Sequence, residues 1–359
     1  NIWDRNLMPR IPNVNDAVGM WDVTRPNQQR NAAYGERWPV TYVQPPAWSG
    51  TRYFSYCGFN GSNQSGYYIN NSRTLGTAWT FPLAGMWASA QYAYTGKQSN
   101  GTRFLNSSGE TSSGWSNVIE YVTCSTLGNA AYFGDAVVYT KGGRGGSNGT
   151  IGIYAGGNQL SGGSSSNTDI KRYVTISTTS SGASYGNLAT NRYRAGSASG
   201  ATYFCMFGGY PYGTGGGNGD KWDYVTFVSS GSSINAGNME NVGSPRFNTD
   251  CDAIDGGIGS SRIVLAGGAW QNGGHSNAMW HFSTASFGYG TDYGNMASAK
   301  EANSTTGDGQ YGIIAGGQGP MAYETSSVIF NVTTLSLAVV SPSSLIHGVT
   351  RNGMAAGNQ

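Results

Sequence analysis

One short pattern returns along the whole chain, and it restricts the fold more than any local signal. A stretch carrying an aromatic residue and ending in Val-Thr or a near variant occurs at Trp21–Thr24 (WDVT), Glu120–Thr123 (EYVT), Arg172–Thr175 (RYVT), Asp223–Thr226 (DYVT), Trp280–Thr284 (WHFST) and Phe330–Thr333 (FNVT), with a weaker copy ending at Ser72 (YYINNS). The copies are about 50 residues apart, a period that marks propeller-type or solenoid repeats.

Three further elements travel with each copy. A Tyr-Gly or similar element follows it, as in NAAYFGD (Asn129–Asp135), ASYGNL (Ala183–Leu188), INAGNM (Ile234–Met239) and TDYGNM (Thr291–Met296). Next comes a strand of small residues such as RYRAGSASG, then an apolar strand closed by a glycine pair at Gly156-Gly157, Gly208-Gly209, Gly267-Gly268 and Gly316-Gly317. Degenerate copies of that last strand fall near Gly58, near Asn106 and near Gly357 (NGMAAGN). Four short strands per period describe one propeller blade. Counting copies predicts an all-β, seven-bladed propeller in a single domain, 1–359. The seventh blade is expected to be shared by the two ends, about 1–45 with 340–359, which would remove the exposed sheet edges that invite aggregation.

Composition agrees. Of the 359 residues 57 are Gly, 13% are aromatic and only 11% are charged, with a net charge of +2. A helical protein is excluded because each interior glycine costs a helix about 1 kcal/mol. Disorder is excluded because the charge is low and the aromatic content high. No basic cluster exists to hold phosphates, so nucleic acid is not the expected partner, and no apolar run approaches the ~20 residues of a membrane-spanning helix, so membrane insertion is not expected. Opening on Asn1, the chain reads as a mature or incomplete product. Cys57, Cys124, Cys205 and Cys251 form no Cys-x-x-Cys pair, and Cys57 and Cys205, in aromatic strands, are expected to be small buried apolar groups rather than disulfide partners.

The order of RYRAGSASG, an apolar Gly-Gly strand and an aromatic Val-Thr strand resembles kelch-type β-propellers. The fuller unit, Val118–Asp135, is similar to the repeat of tail-associated virion proteins of marine and cyanobacterial tailed phages. The likeness spans nearly the whole chain, although the double glycine is missing from the first, second and last copies and Tyr-Gly stands where kelch repeats carry Trp. The resemblance implies a non-enzymatic virion structural protein of a tail fibre, baseplate or particle surface. It implies other virion subunits as partners, and a host-surface glycan as ligand.

Within a repeat, position predicts packing. Trp21, Trp222, Trp280, Tyr121 and Tyr173 are therefore expected to be structural. Function is expected where repeats differ, in the loops after the second and fourth strands, which leave an antiparallel four-stranded sheet at one end. The loops after the Gly-Gly strands mix Gly, Ser and Asn with aromatics, a combination suited to adaptable contact with a ligand. Their candidate binding residues are Trp115, Tyr210, Tyr212, Trp270, Gln271, Asn272, His275 and Tyr323.

A catalytic set is not legible. His275, His281 and His347 form no two-ligand spacing. A kelch-type copper oxidase would need several ligands, of which only His347 is near an inner strand. Asp250, Asp252 and Asp255 are close enough to attract calcium, but Ser261 stands where an EF-hand would place its bidentate Glu, and the bland alternative is a solvated bend. No cofactor is expected. The competing reading is a secreted carbohydrate-active propeller: a lectin, a kelch-type oxidase or a glycosidase.

Overall fold

The computed structural model describes residues 53–56, 66–69, 79–80, 96–111, 114–124, 130–161, 163–209, 221–239, 247–249, 252–255, 262–270, 274–301, 304–307, 311–320, 327–332, 336–341 and 354–357. Two compact units divide the chain, Asn1–Gln44 and Pro45–Gln359, and the described residues belong to the second.

All regular structure among them is β, arranged chiefly in six four-stranded antiparallel sheets. Sheet I is built from Met354–Gly357, Tyr53–Tyr56, Gly66–Ile69 and Trp79–Thr80, in that order. Sheet II follows with Gly96–Ser99, Arg103–Thr111, Gly114–Thr123 and Ala131–Asp135, and sheet III with Arg144–Ser147, Ile151–Ala155, Ile170–Thr175 and Ala183–Asn187. Sheet IV comprises Gly196–Ser199, Tyr203–Phe207, Lys221–Thr226 and Ile234–Asn238, and sheet V Asp252–Asp255, Arg262–Ala266, Ala278–Ser283 and Thr291–Asn295. Ser304–Gly307, Tyr311–Ala315, Ser327–Asn331 and Ser336–Ser341 form sheet VI.

In sheets III and IV the four sequence elements occupy the four strands in turn: small residues first, the apolar Gly-Gly strand second, Val-Thr third and the Tyr-Gly or similar element fourth; sheet V repeats the last three, with Asp252–Asp255 as its first strand. The second strand is apolar throughout because both its faces are buried. Side chains alternate across a strand, so Phe204 and Met206 pack with Ile153, Tyr185 and Leu188 of sheet III, while Cys205 and Phe207 pack with Ile263, Leu265 and Phe282 of sheet V. The core is thus a series of layers between successive sheets, repeated between II and III and between V and VI. Trp222 is fully buried and stacks on Phe207 with centroids 5.1 Å apart, Tyr121 and Tyr173 make edge contacts with Phe133 and Tyr185, and Trp280 packs beside the sheet IV–V layer. Cys124 and Cys205 are buried thiols, whereas Cys57 and Trp21 lie outside the described residues.

Two features of the repeat acquire physical causes. Gly156 and Gly157 have φ of +65° and +97°, and a Cβ on Gly156 would stand 2.8 Å from the Arg192 carbonyl oxygen, so the pair turns where no side chain fits. In sheet III the glycine of the Tyr-Gly element makes room for the next sheet: a Cβ on Gly186 would collide with the Gly231 carbonyl oxygen, and Gly231 N–H donates to the Tyr185 carbonyl at 3.2 Å. The Tyr185 ring turns inward and is buried, so tyrosine fills the space while glycine admits the neighbouring backbone.

First strands lie against one another from sheet I through sheet VI, and the first strand of sheet VI lies against that of sheet I. Serines stitch part of this line. Ser147 Oγ donates to the Ser99 carbonyl at 2.7 Å and accepts from Ser99 N–H, and Ser199 Oγ does the same to Ser147 at 3.0 and 2.8 Å. Lys97 Nζ donates to the Thr305 carbonyl at 2.7 Å, tying the first strand of sheet II to that of sheet VI.

Six sheets are described where the motif count leads to seven. The stretch NGMAAGN, counted as a Gly-Gly copy, is instead the first strand of sheet I, with Met354 opposite Tyr56 and Gly357 opposite Tyr53. Its small residues match the first strands RGGS and GSAS. The strand Met354–Gly357 therefore pairs with Tyr53–Tyr56, and the expected closure with 1–45 falls outside the described residues. WDVT and the rest of 1–45 lie outside the described residues, as does His347.

Candidate functional site

Loops after the second and fourth strands do share one end, because they hydrogen-bond to one another. In sheet III the loop after the second strand folds into a hairpin, Asn158–Ser161 with Ser164–Asn167, whose first strand pairs with Thr140–Lys141 from the connection between sheets II and III. In sheet V, Ala269–Trp270 pairs with Phe247–Thr249 from the connection before it. Glu301, between sheets V and VI, exchanges backbone hydrogen bonds of 2.9 and 2.8 Å with Gln318 from the loop of sheet VI.

The best-defined part of this end surrounds Trp115. Strands Arg103–Thr111 and Gly114–Thr123 extend past the sheet into a long hairpin with Trp115 opposite Glu110 near its tip. Trp115 is half-buried, and Lys141 Nζ stands 5.1 Å above its ring, a cation–π contact. Leu160 N–H donates to the Tyr139 carbonyl at 3.0 Å, and Val137, Tyr139 and Leu160 are exposed at 56%, 49% and 41%. Apolar groups with a cation beside them therefore present a small amphipathic surface. Val137 is held at φ +70°, a costly conformation for a β-branched residue.

His275 sits elsewhere on this end, bridged to Ala269, with Nε2 3.6 Å from Glu301 Oε1. That separation is too long for a hydrogen bond, and burial lowers the histidine's proton affinity. His281 is likewise lowered, by burial first and by Arg262 second. Among the described residues no three His, Cys, Asp or Glu side chains converge as a metal cluster. Asp252 and Asp255 belong to the first strand of sheet V, opposite Ala266 and Ile263, so this stretch is extended sheet and not a bend. Trp270 is placed by its strand; Tyr210, Tyr212, Gln271, Asn272, Tyr323 and Asp250 lie outside the described residues.

Beneath the loops runs a buried ionic network. Arg192 Nη2 is 3.1 Å from Asp223 Oδ1, while its Nη1 donates to the Gly208 and Lys221 carbonyls at 2.8 and 3.0 Å and Nη2 to Thr190 Oγ1 at 2.9 Å. Ala189 N–H donates to Asp223 Oδ2 at 2.8 Å. Burial pushes the Asp223 carboxyl up from its ordinary range, and Arg192, then Ala189 N–H, then Lys171 pull it back. Lys171, fully buried, donates from Nζ to the Gly231 carbonyl at 2.8 Å and to Ser233 Oγ at 2.7 Å; burial lowers it to about 8.

Sequence reasoning missed Val137, Tyr139, Lys141 and Leu160. It weighed aromatics in the loops after the second strands, and the connections after the fourth strands were not searched, although Tyr139-Thr140-Lys141 is an aromatic-basic stretch of the kind that could have been flagged.

No family model matches the chain, and no curated protein does. Among solved structures it is similar to YjhT, with a TM-score of 0.61 over 81% of this chain and 95% of that one, at 12% identity. That likeness concerns the fold alone.

Proposed function

We propose that the described sheets are blades of a β-propeller and that the protein is a non-enzymatic structural component of a tailed-phage particle, at a tail fibre, baseplate or particle surface, which contacts host-surface glycan through the loop-bearing end. The propeller reading is supported by the unbroken succession of first strands from sheet I to sheet VI and back, and by Lys97 reaching Thr305. Support for the virion comes from the repeat unit at Val118–Asp135. The observation that carries the binding role is the surface of Trp115, Tyr139, Lys141 and Leu160, where apolar groups and a cation share a position in which repeats differ. Sugars present apolar C–H faces that rings can cover and hydroxyls that a cation and small polar residues can bond.

Two measurements test it. Mass spectrometry of purified phage particles should find the chain, and the purified protein should bind host cells or glycans on an array, with at least tenfold loss in a Trp115→Ala, Tyr139→Ala, Leu160→Ser triple variant, as expected when interface anchors are truncated. A chain absent from particles defeats the virion role. A wild type without glycan or cell binding, with these residues protected in the assembled particle, replaces adhesion by a scaffold role.

A further inference from the structure

Arg144 opens the first strand of sheet III and is 2% exposed. Side chains alternate along a strand, so Arg144 leaves it on the side of Gly146, where a Cβ would meet Ser199 and Phe204 of sheet IV. The guanidinium is thereby enclosed at the junction of sheets III and IV. Among the described residues no group accepts a hydrogen bond from its Nε, Nη1 or Nη2, and all three nitrogens are buried. A guanidinium cannot be deprotonated in a protein, and an ion withdrawn from water without a partner is strongly destabilising.

Neighbouring charges do not relieve it. Of the carboxylates near this junction, Asp223 is committed to Arg192 and attracts Lys171, and half-buried Asp169 also attracts Lys171. Arg194 adds a further cation: its N–H donates to the carbonyl of Gly142, two residues before Arg144, and its guanidinium lies 5.0 Å above the Tyr193 ring. Arg194 is also held at φ +56°, in the left-handed region that a residue with a Cβ enters only at a cost.

We propose that Arg144 is the anchoring charge of an oxyanion site at the junction of sheets III and IV, taking a carboxylate, sulfate or phosphate group. The planar fork of a guanidinium matches two oxygens of such a group. Because the first strand of sheet III begins at the loop-bearing end, the group enters from that end. The site does not rest on the glycan reading, since a free inorganic ion meets the same need.

The test follows thermal unfolding of the full chain at constant ionic strength as sodium phosphate, sulfate, acetate or glucuronate replaces sodium chloride. General salting effects are unsaturable and common to all variants, so the readout is a saturable rise in Tm. Wild type should show it with at least one oxyanion; Arg144→Met should lose it and be no less stable than wild type in chloride. Arg144→Lys keeps the charge without the fork and should need a several-fold higher concentration for half-saturation. A response to phosphate, sulfate or acetate identifies a free ion as sufficient, and a response to glucuronate alone identifies an acidic sugar. The site is refuted if wild type shows no saturable response, or if Arg144→Met or Arg144→Lys responds at the wild-type concentration.

Discussion

Asp223→Ala should be among the most damaging single changes in the molecule. The carboxylate is 1% exposed and its partner Arg192 3%, 3.1 Å apart. Deleting one member of a buried ion pair leaves the other charge uncompensated, which costs about 3–5 kcal/mol. Arg192 would retain the Gly208 and Lys221 carbonyls and Thr190 Oγ1, which partly solvate its charge and place the loss near the lower end, about 3 kcal/mol. Ala189 N–H, freed from Oδ2, is on an exposed residue and can turn to water, adding little. Asp223→Asn, which can still accept from Ala189, should cost less than Asp223→Ala. Adding Arg192→Met to Asp223→Ala should cost less than the two single losses summed, with a coupling of about 2 kcal/mol. Urea unfolding at constant m measures the four variants against wild type. An Asp223→Ala loss under about 1 kcal/mol, or additivity of the two changes, would show that the pair is not held together as the geometry implies.

Lys171 gives stability an alkaline signature. Its folded value near 8 lies below the ordinary 10.5, so between these values the unfolded chain holds a proton that the folded one lacks, and stability should rise with pH from about 8. Burial raises Tyr293 to about 12 and raises Tyr154 as well, so above pH ~10 the unfolded phenols ionise first and stability should fall. Urea midpoints between pH 7.5 and 9.5 should therefore climb in wild type and stay flat in Lys171→Met; parallel curves would refute the assignment. Gly186→Ala should cost about 2 kcal/mol or more, because φ of +90° alone disfavours a Cβ by about 1–2 kcal/mol and the new atom would also meet the Gly231 carbonyl. Gly231→Ala, where a Cβ meets nothing within 4 Å, should stay within about 0.5 kcal/mol of wild type in the same urea assay.

How much could be read in advance depended on whether a feature repeats. The strand types were legible because each strand's surroundings recur. A second strand buried on both faces must be apolar at Phe204, Cys205, Met206 and Phe207 alike, and the fourth strands of sheets II and III, which admit the next sheet's backbone, carry glycine at Gly134 and Gly186. NGMAAGN was misassigned because glycine was counted and side-chain size was not: its residues are those of a first strand, where neighbouring sheets crowd and serine or glycine bonds across. The loop-bearing end was legible only as a location. Bonds such as Leu160 to Tyr139 and Glu301 to Gln318 join segments at 21 and 17 residues' separation with no period to announce them. For the same reason nothing in KGGRGG announces that its arginine is 2% exposed. A repeat fixes what all copies share, so the residues that differ from their equivalents, Arg144 where sheets II and IV have Gly96 and Gly196, are where this chain's own chemistry has to be sought.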